Sequence, residues 1–284
     1  MLSRRLFLLQ LLFLLTACRA AEPEFIGRLS IGVVSYGEGN RAIERFSALR
    51  DYLAAQLKAV VDLEPAYNEV QALAQIKRKT WSLVFAPPGL AAIAIAEAQY
   101  LPLFPLEGLN KVRSVILVLE DSPIQKLNGL AGKVVALGQP GSATGYYLPI
   151  YNLYGLTLAE ARFAPTPKTM LQWIADGEVV AGAMSLAEFE RYRSEFAQTK
   201  FRILYLEKKE VPAGAVLAGP RIELNQLEQV RRVLESAPPN MTAAAGYIPN
   251  TKTPDYEYLI EVVKRVRPIA ERIKQKPVPL YETN

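Results

Sequence analysis

The chain has 284 residues, half of them hydrophobic and 21% charged, and its formal net charge of +5 drops to +3 without the two arginines near its start. That length and balance give ample core for one large or two small globular domains, and the thinly spread positive charge is not the footprint of a nucleic-acid binder. The absence of histidine removes Ser-His and Cys-His nucleophile pairs and imidazole metal sites, and a single cysteine, Cys18, allows neither an internal disulfide nor a thiolate zinc site. No catalytic residues or metal ligands stand out, so a non-enzymatic protein without a cofactor is expected.

The chain opens with "MLSRRLFLLQLLFLLTAC", in which Arg4 and Arg5 precede a Leu/Phe run broken only by Gln10. A basic start, an apolar middle too short for a comfortable membrane span and a small-residue end have the layout of an export signal. Leu15-Thr16-Ala17-Cys18 resembles the lipobox of bacterial lipoproteins. That resemblance implies a signal peptide over residues 1–17, lipid attachment at Cys18 and a tether over 18–27, against the alternative of an ordinary signal with a chance cysteine.

From there strand and helix patterns alternate. "RLSIGVVSY" at residues 28–36 predicts a buried strand, and "NRAIERFSALRDYLAAQL" a helix with Ile43, Phe46, Leu49, Leu53 and Leu57 on one face. "VVDLEPA", "WSLVFAPP", "YLPLFPL" and "RSVILVLE" predict strands, with helices at "NEVQALAQIKRK" and "GLAAIAIAEAQ". "KVVALG", "VVAGAMSL", "FRILYLE" and "AGAVLAG" are later strands. The final helix, "TPDYEYLIEVVKRVRPIAERI", is expected to take Thr253 as N-cap and Pro254 as its first residue, and to kink at Pro268. Its Lys and Arg residues read as a wet face. This alternation predicts an α/β fold with mainly parallel sheets. No Gly/Ser linker divides the chain, so two lobes would be joined by strands crossing near residues 113–114 and 212–215.

One stretch stands apart: "GQPGSATG" at residues 138–145, between the strand "KVVAL" and a helix expected to start near Ala143, bend past Pro149 and stop at Gly155. Ser142 is a good N-cap. The free N–H groups of the first turn, the positive end of the helix dipole and the Ser142 and Thr144 hydroxyls suit a tetrahedral oxyanion. The same features serve equally well as a plain capped helix. The stretch is neither a P-loop, nor a dinucleotide fingerprint, nor a nucleophile elbow.

The run "RSVILVLEDSPIQKLNGLAGKVVALGQPGSATGYYLPIYNLYGL", with "RLSIGVVSY" and "LVFAPPGLAAIA" before it, resembles the phosphate/phosphite/phosphonate-binding components of bacterial ABC importers. The resemblance covers most of residues 28–190 and is most specific between Arg113 and Gly155. It implies a type II periplasmic-binding fold, two α/β lobes joined by hinge strands. Residues 28–113 and 214–284 would form lobe 1, and 114–213 lobe 2. It implies a ligand held by Ser142, Ala143, Thr144 and Gly145 opposite Tyr36 of lobe 1. It also implies a periplasmic, membrane-tethered monomer that serves an importer's permease and ATPase. Arg113 is the cation expected near a lobe crossing, either pairing with the anion or lying on the surface.

The chain also departs from that family's pattern. Ala143 replaces a threonine, Leu90 stands where an aromatic often follows the third strand, and no histidine precedes the helix at Pro167. Val180 replaces an aspartate that can hold an amine, which disfavours aminophosphonates. Glu188 is either a replacement carboxylate or part of a solvated helix. The alternatives are a small organic ligand on the same fold, or a sensory or scaffolding lipoprotein without a transport role.

Overall fold

The computed structural model describes residues 27–34, 40–108 and 112–282. Cys18, the export signal and Tyr36 lie outside them. Strand β1 (Arg28–Val34) pairs in parallel with β2 (Val60–Ala66) and β3 (Leu83–Ala86). The intervening helices are α1 (Asn40–Leu57) and α2 (Glu69–Arg78). Phe46, Leu49, Leu53 and Leu57 of α1 are buried, as their spacing predicts. Asn68 caps α2 by accepting the Gln71 N–H.

Helix α3 (Pro88–Ala98) differs from its neighbours. Its sequence is apolar except for Glu97 near its end, and Gly89 to Ala94 are all buried. A helix without a polar face must have core on every side. After β4 (Leu101–Pro105) the chain crosses to a second sheet, entering as β5 (Ser114–Leu119). There follow β6 (Val134–Leu137), the short β7 (Thr157–Leu158), β8 (Glu160–Phe163) and β9 (Ala181–Ser185). The chain leaves this sheet as β10 (Phe201–Leu206) and returns to the first as β11 (Ala215–Ala218). The sheet orders are β2-β1-β3-β11-β4 and β10-β5-β9-β6-β8.

Both sheets are mixed rather than mainly parallel. β11 runs antiparallel to β3 and β4, and β5 runs antiparallel to β9 and β10. These are the strands that enter from the other sheet, so their direction is set by the crossing and not by a right-handed helical connection. The two crossing segments run side by side. The Leu106 N–H donates to the Gly214 carbonyl at 2.8 Å and the Val211 N–H to the Val112 carbonyl at 2.7 Å.

The C-terminal segment touches both halves. Helix α4 (Leu148–Asn152) follows β6, and α5 (Pro167–Ala175) and α6 (Leu186–Tyr192) flank β9. After α7 (Leu224–Glu235) and α8 (Pro239–Ala245) comes α9 (Glu257–Ala270), which packs against both α3 and α4. Beyond it β12 (Val278–Pro279) pairs antiparallel with β7. One hydrophobic core therefore runs from Leu90 and Ile93 through Tyr146 and Tyr147 to Val262 and Val266.

Helix α9 starts later than Thr253: its N-cap is Tyr256. Tyr256 is buried, with its hydroxyl bonded to the Ala213 carbonyl of a crossing segment, and the Asp255 carboxylate accepts the Glu257 N–H at 2.8 Å. The tertiary anchor overrides the local Thr-Pro start signal. Pro268 lies inside the helix, which ends at Ala270. Lys264, Arg265 and Arg267 are exposed, the wet face that the sequence indicates.

Candidate ligand-binding site

Residues 138–145 lie at the C-terminal end of β6, the edge where ligands bind in open α/β sheets. The helix that follows opens with a π-helical turn, Ala143–Tyr147, before passing into α4. That helix ends at Asn152, three residues before Gly155, the predicted stop, which has φ +93°. The Ser142 Oγ accepts the Gly145 N–H at 3.0 Å, the capping bond expected of it. The Ser142 carbonyl accepts the Tyr146 and Tyr147 N–H groups at 3.2 and 3.1 Å.

The donors that remain are unpaired. Among the described residues, the N–H groups of Ala143 and Thr144 and the Thr144 hydroxyl have no acceptor, although Thr144 is only 9% exposed. Buried donors without partners are uncommon in folded proteins. Behind them Tyr146 and Tyr147 meet edge to face at 5.0 Å. Burial pushes both hydroxyls above the ordinary tyrosine range, and Tyr146 and then Glu97 add to this for Tyr147.

The other half of the molecule closes directly on this turn. A Cβ on Gly89, at the start of α3, would lie 2.1 Å from the Gly141 carbonyl oxygen and 2.6 Å from the Ala143 nitrogen. Gly141 has φ +115°, and a Cβ there would lie 2.7 Å from the Glu69 Cβ and 3.0 Å from a Leu90 methyl. Leu90 is fully buried. The starts of α2 and α3 and the turn at 141–143 are thus in van der Waals contact.

Arg113 immediately precedes β5, where its carbonyl accepts the Leu186 N–H at 2.9 Å. Its guanidinium has no side-chain partner among the described residues. Glu188 is engaged locally: its carboxylate accepts from the Ser185 N–H at 2.9 Å and hydroxyl at 2.7 Å, which closes a capping box on α6. The Val180 N–H donates to the Val134 carbonyl. Pro167 opens α5 behind the cap Thr166. No group of acidic or cysteine side chains among the described residues is placed to hold a metal ion.

Sequence reasoning overlooked Gly89, Glu69 and Ser114. Gly89 carried a signal, since Pro87-Pro88-Gly89 is strong punctuation at a helix start. Ser114 carried a weaker one, as a polar residue opening an otherwise apolar strand. Glu69 carried none.

Two mixed α/β units joined by paired crossing segments, with helix starts of one facing a donor-bearing helix start of the other, define a two-lobed binding protein of type II periplasmic architecture. The chain belongs to the family described as "ABC transporter, phosphonate, periplasmic substrate-binding protein", which it matches over residues 31–246. Among solved structures it is similar to XAC2383 from Xanthomonas citri, solved with chloride, at 20% identity and TM-score 0.69, covering 85% of this chain and 99% of that one. It is also similar to PhnD1 from Prochlorococcus marinus in complex with methylphosphonate, at 16% identity and TM-score 0.60, covering 84% and 98%. A binding-protein component of a phosphonate transporter from Pseudomonas aeruginosa aligns at 12% identity and TM-score 0.60, covering 87% of each chain. At these identities the likeness is one of fold. No match was found among curated proteins.

Proposed function

We propose that this chain is a lipid-anchored periplasmic receptor that captures a small oxyanion between its lobes and hands it to an ABC importer's permease and ATPase. The observation that carries this reading is the set of unpaired donors at residues 142–144. A phosphate, phosphite or phosphonate head would accept from the Ala143 and Thr144 N–H groups and from the Ser142 and Thr144 hydroxyls. Gly89 now covers the Ala143 nitrogen. Ligand entry therefore requires the lobes to part, and the ligand takes the place of that contact.

The lobes in this reading are residues 28–113 with 214–284, and 114–213. Arg113 at the crossing and Tyr36 beyond β1 complete the grip, and Gly145 lets the turn pack closely. The methylphosphonate in the Prochlorococcus structure fits this ligand class. With Val180 in place of an acid and Glu188 engaged in its cap, an amine-bearing ligand has no carboxylate at those two positions. Cys18 carries the lipid, and the receptor acts as a monomer.

A second reading has its own support. Gly89 and Leu90 pack directly on the turn, with the Gly89 Cα side against Gly141 and Ala143, and such tight packing favours a scaffolding or sensory lipoprotein of the same fold. A thermal-shift screen with phosphate, phosphite, methylphosphonate, sulfate and nitrate separates the two. The receptor reading expects a selective rise in Tm with one phosphorus oxyanion. The scaffold reading expects none.

A further inference from the structure

Helix geometry leaves the Thr144 carbonyl without a helical donor. In the π-helical opening the Ala143 carbonyl accepts from the Leu148 N–H. The next carbonyl, Thr144, would look to residue 149, which is a proline and has no N–H. A donor from outside the helix fills this gap. The Ser114 hydroxyl donates to the Thr144 carbonyl at 2.6 Å, and Ser114 is only 1% exposed.

The Thr144 carbonyl and the Gly145 N–H belong to the same peptide plane. That plane is therefore held at both ends, by Ser114 at its oxygen and by the Ser142 Oγ at its hydrogen. The Ser142 oxygen accepts from Gly145, which leaves its own hydroxyl proton to donate to another group. The two bonds run in one direction, Ser114 hydroxyl to Thr144 carbonyl and Gly145 N–H to Ser142 oxygen, and a bond from the Ser142 hydroxyl to an oxyanion would extend them. Hydrogen bonds chained head to tail polarise one another.

Ser114 also stands where both crossing segments enter the second sheet. It is the first residue of β5, and its carbonyl accepts the Glu207 N–H at 2.9 Å where β10 ends. We propose that Ser114 is a positioning residue for ligand binding, which orients the Ser142 hydroxyl toward an oxyanion and ties the turn to the hinge. This inference rests on the oxyanion-receptor reading.

The test is titration of the purified protein and its variants with inorganic phosphate, phosphite and methylphosphonate, together with hydrogen exchange at the Gly145 amide. Ser114→Ala is expected to weaken binding roughly five- to tenfold and to speed Gly145 exchange. Ser114→Thr, which keeps the hydroxyl, is expected to restore both. Ile174→Val, a core change in α5, lowers Tm and should leave affinity alone. Wild-type affinity and wild-type Gly145 exchange in Ser114→Ala would overturn the proposal while leaving the receptor reading intact. Should Ser114→Ala not fold, Ser114→Cys decides on the same criteria, with a weak donor at similar volume. If the wild-type protein binds none of the three anions, the receptor reading fails and this inference falls with it.

Discussion

Gly89 shows how one missing side chain shapes the molecule. Any Cβ there would run into the backbone of Gly141 and Ala143, which cannot swing aside as a flexible side chain would. Gly89→Ala should therefore wedge the lobes apart. Overpacking of this kind costs about 1–3 kcal/mol, so Tm should fall and small-angle scattering should report a larger radius of gyration. An unchanged radius would mean that the contact does not hold the lobes closed. Ser142→Ala removes both a cap and a ligand hydroxyl. Its stability loss should be about 0.5–2 kcal/mol by urea unfolding, the usual range for a lost cap.

At the level of elements, much of the architecture is legible in the sequence. The spacing of Phe46, Leu49, Leu53 and Leu57 gives α1 and its buried face, and Ser142 followed by small residues gives a capped helix after β6. The π-helical opening is harder to see because it depends on pairing across the fold. The Thr144 and Gly145 carbonyls take their donors from Ser114 and Gly138. Thr253 misleads because the buried Tyr256 fixes where α9 can begin. Strand direction at β5 and β11 is likewise a matter of topology, absent from any local pattern. The largely apolar α3 is readable as a core helix, but not as the wedge between two lobes. Leu90→Ala, under the turn, should cost about 2–5 kcal/mol and loosen both halves together, visible as a single shifted unfolding transition.

At the scale of the whole molecule, the shared core and the side-by-side crossings argue for one cooperative unit. Its pH dependence should lie on the alkaline side. The Tyr100 and Tyr258 hydroxyls are pushed up to about 12, in both cases first by burial. An unfolded chain releases those protons near pH 10, which the folded chain still holds, so their stabilisation is complete below about pH 10 and is lost toward 12. The urea midpoint should decline across that window. The tether is tested separately. Cys18→Ser should move the protein from the membrane fraction to the soluble fraction, and a wild-type protein already soluble would refute lipid anchoring.

The account turns on whether the turn at residues 142–145 holds an oxyanion. Isothermal titration of the purified protein with phosphate, phosphite and methylphosphonate, repeated on Ser142→Ala, addresses this most directly. The predicted result is one saturable site per chain for at least one of them, weakened about tenfold or more in the variant, since hydrogen bonds to a charged group are worth about 1.5–3 kcal/mol. No binding of any of the three at millimolar concentration, or equal binding by the variant, would contradict it.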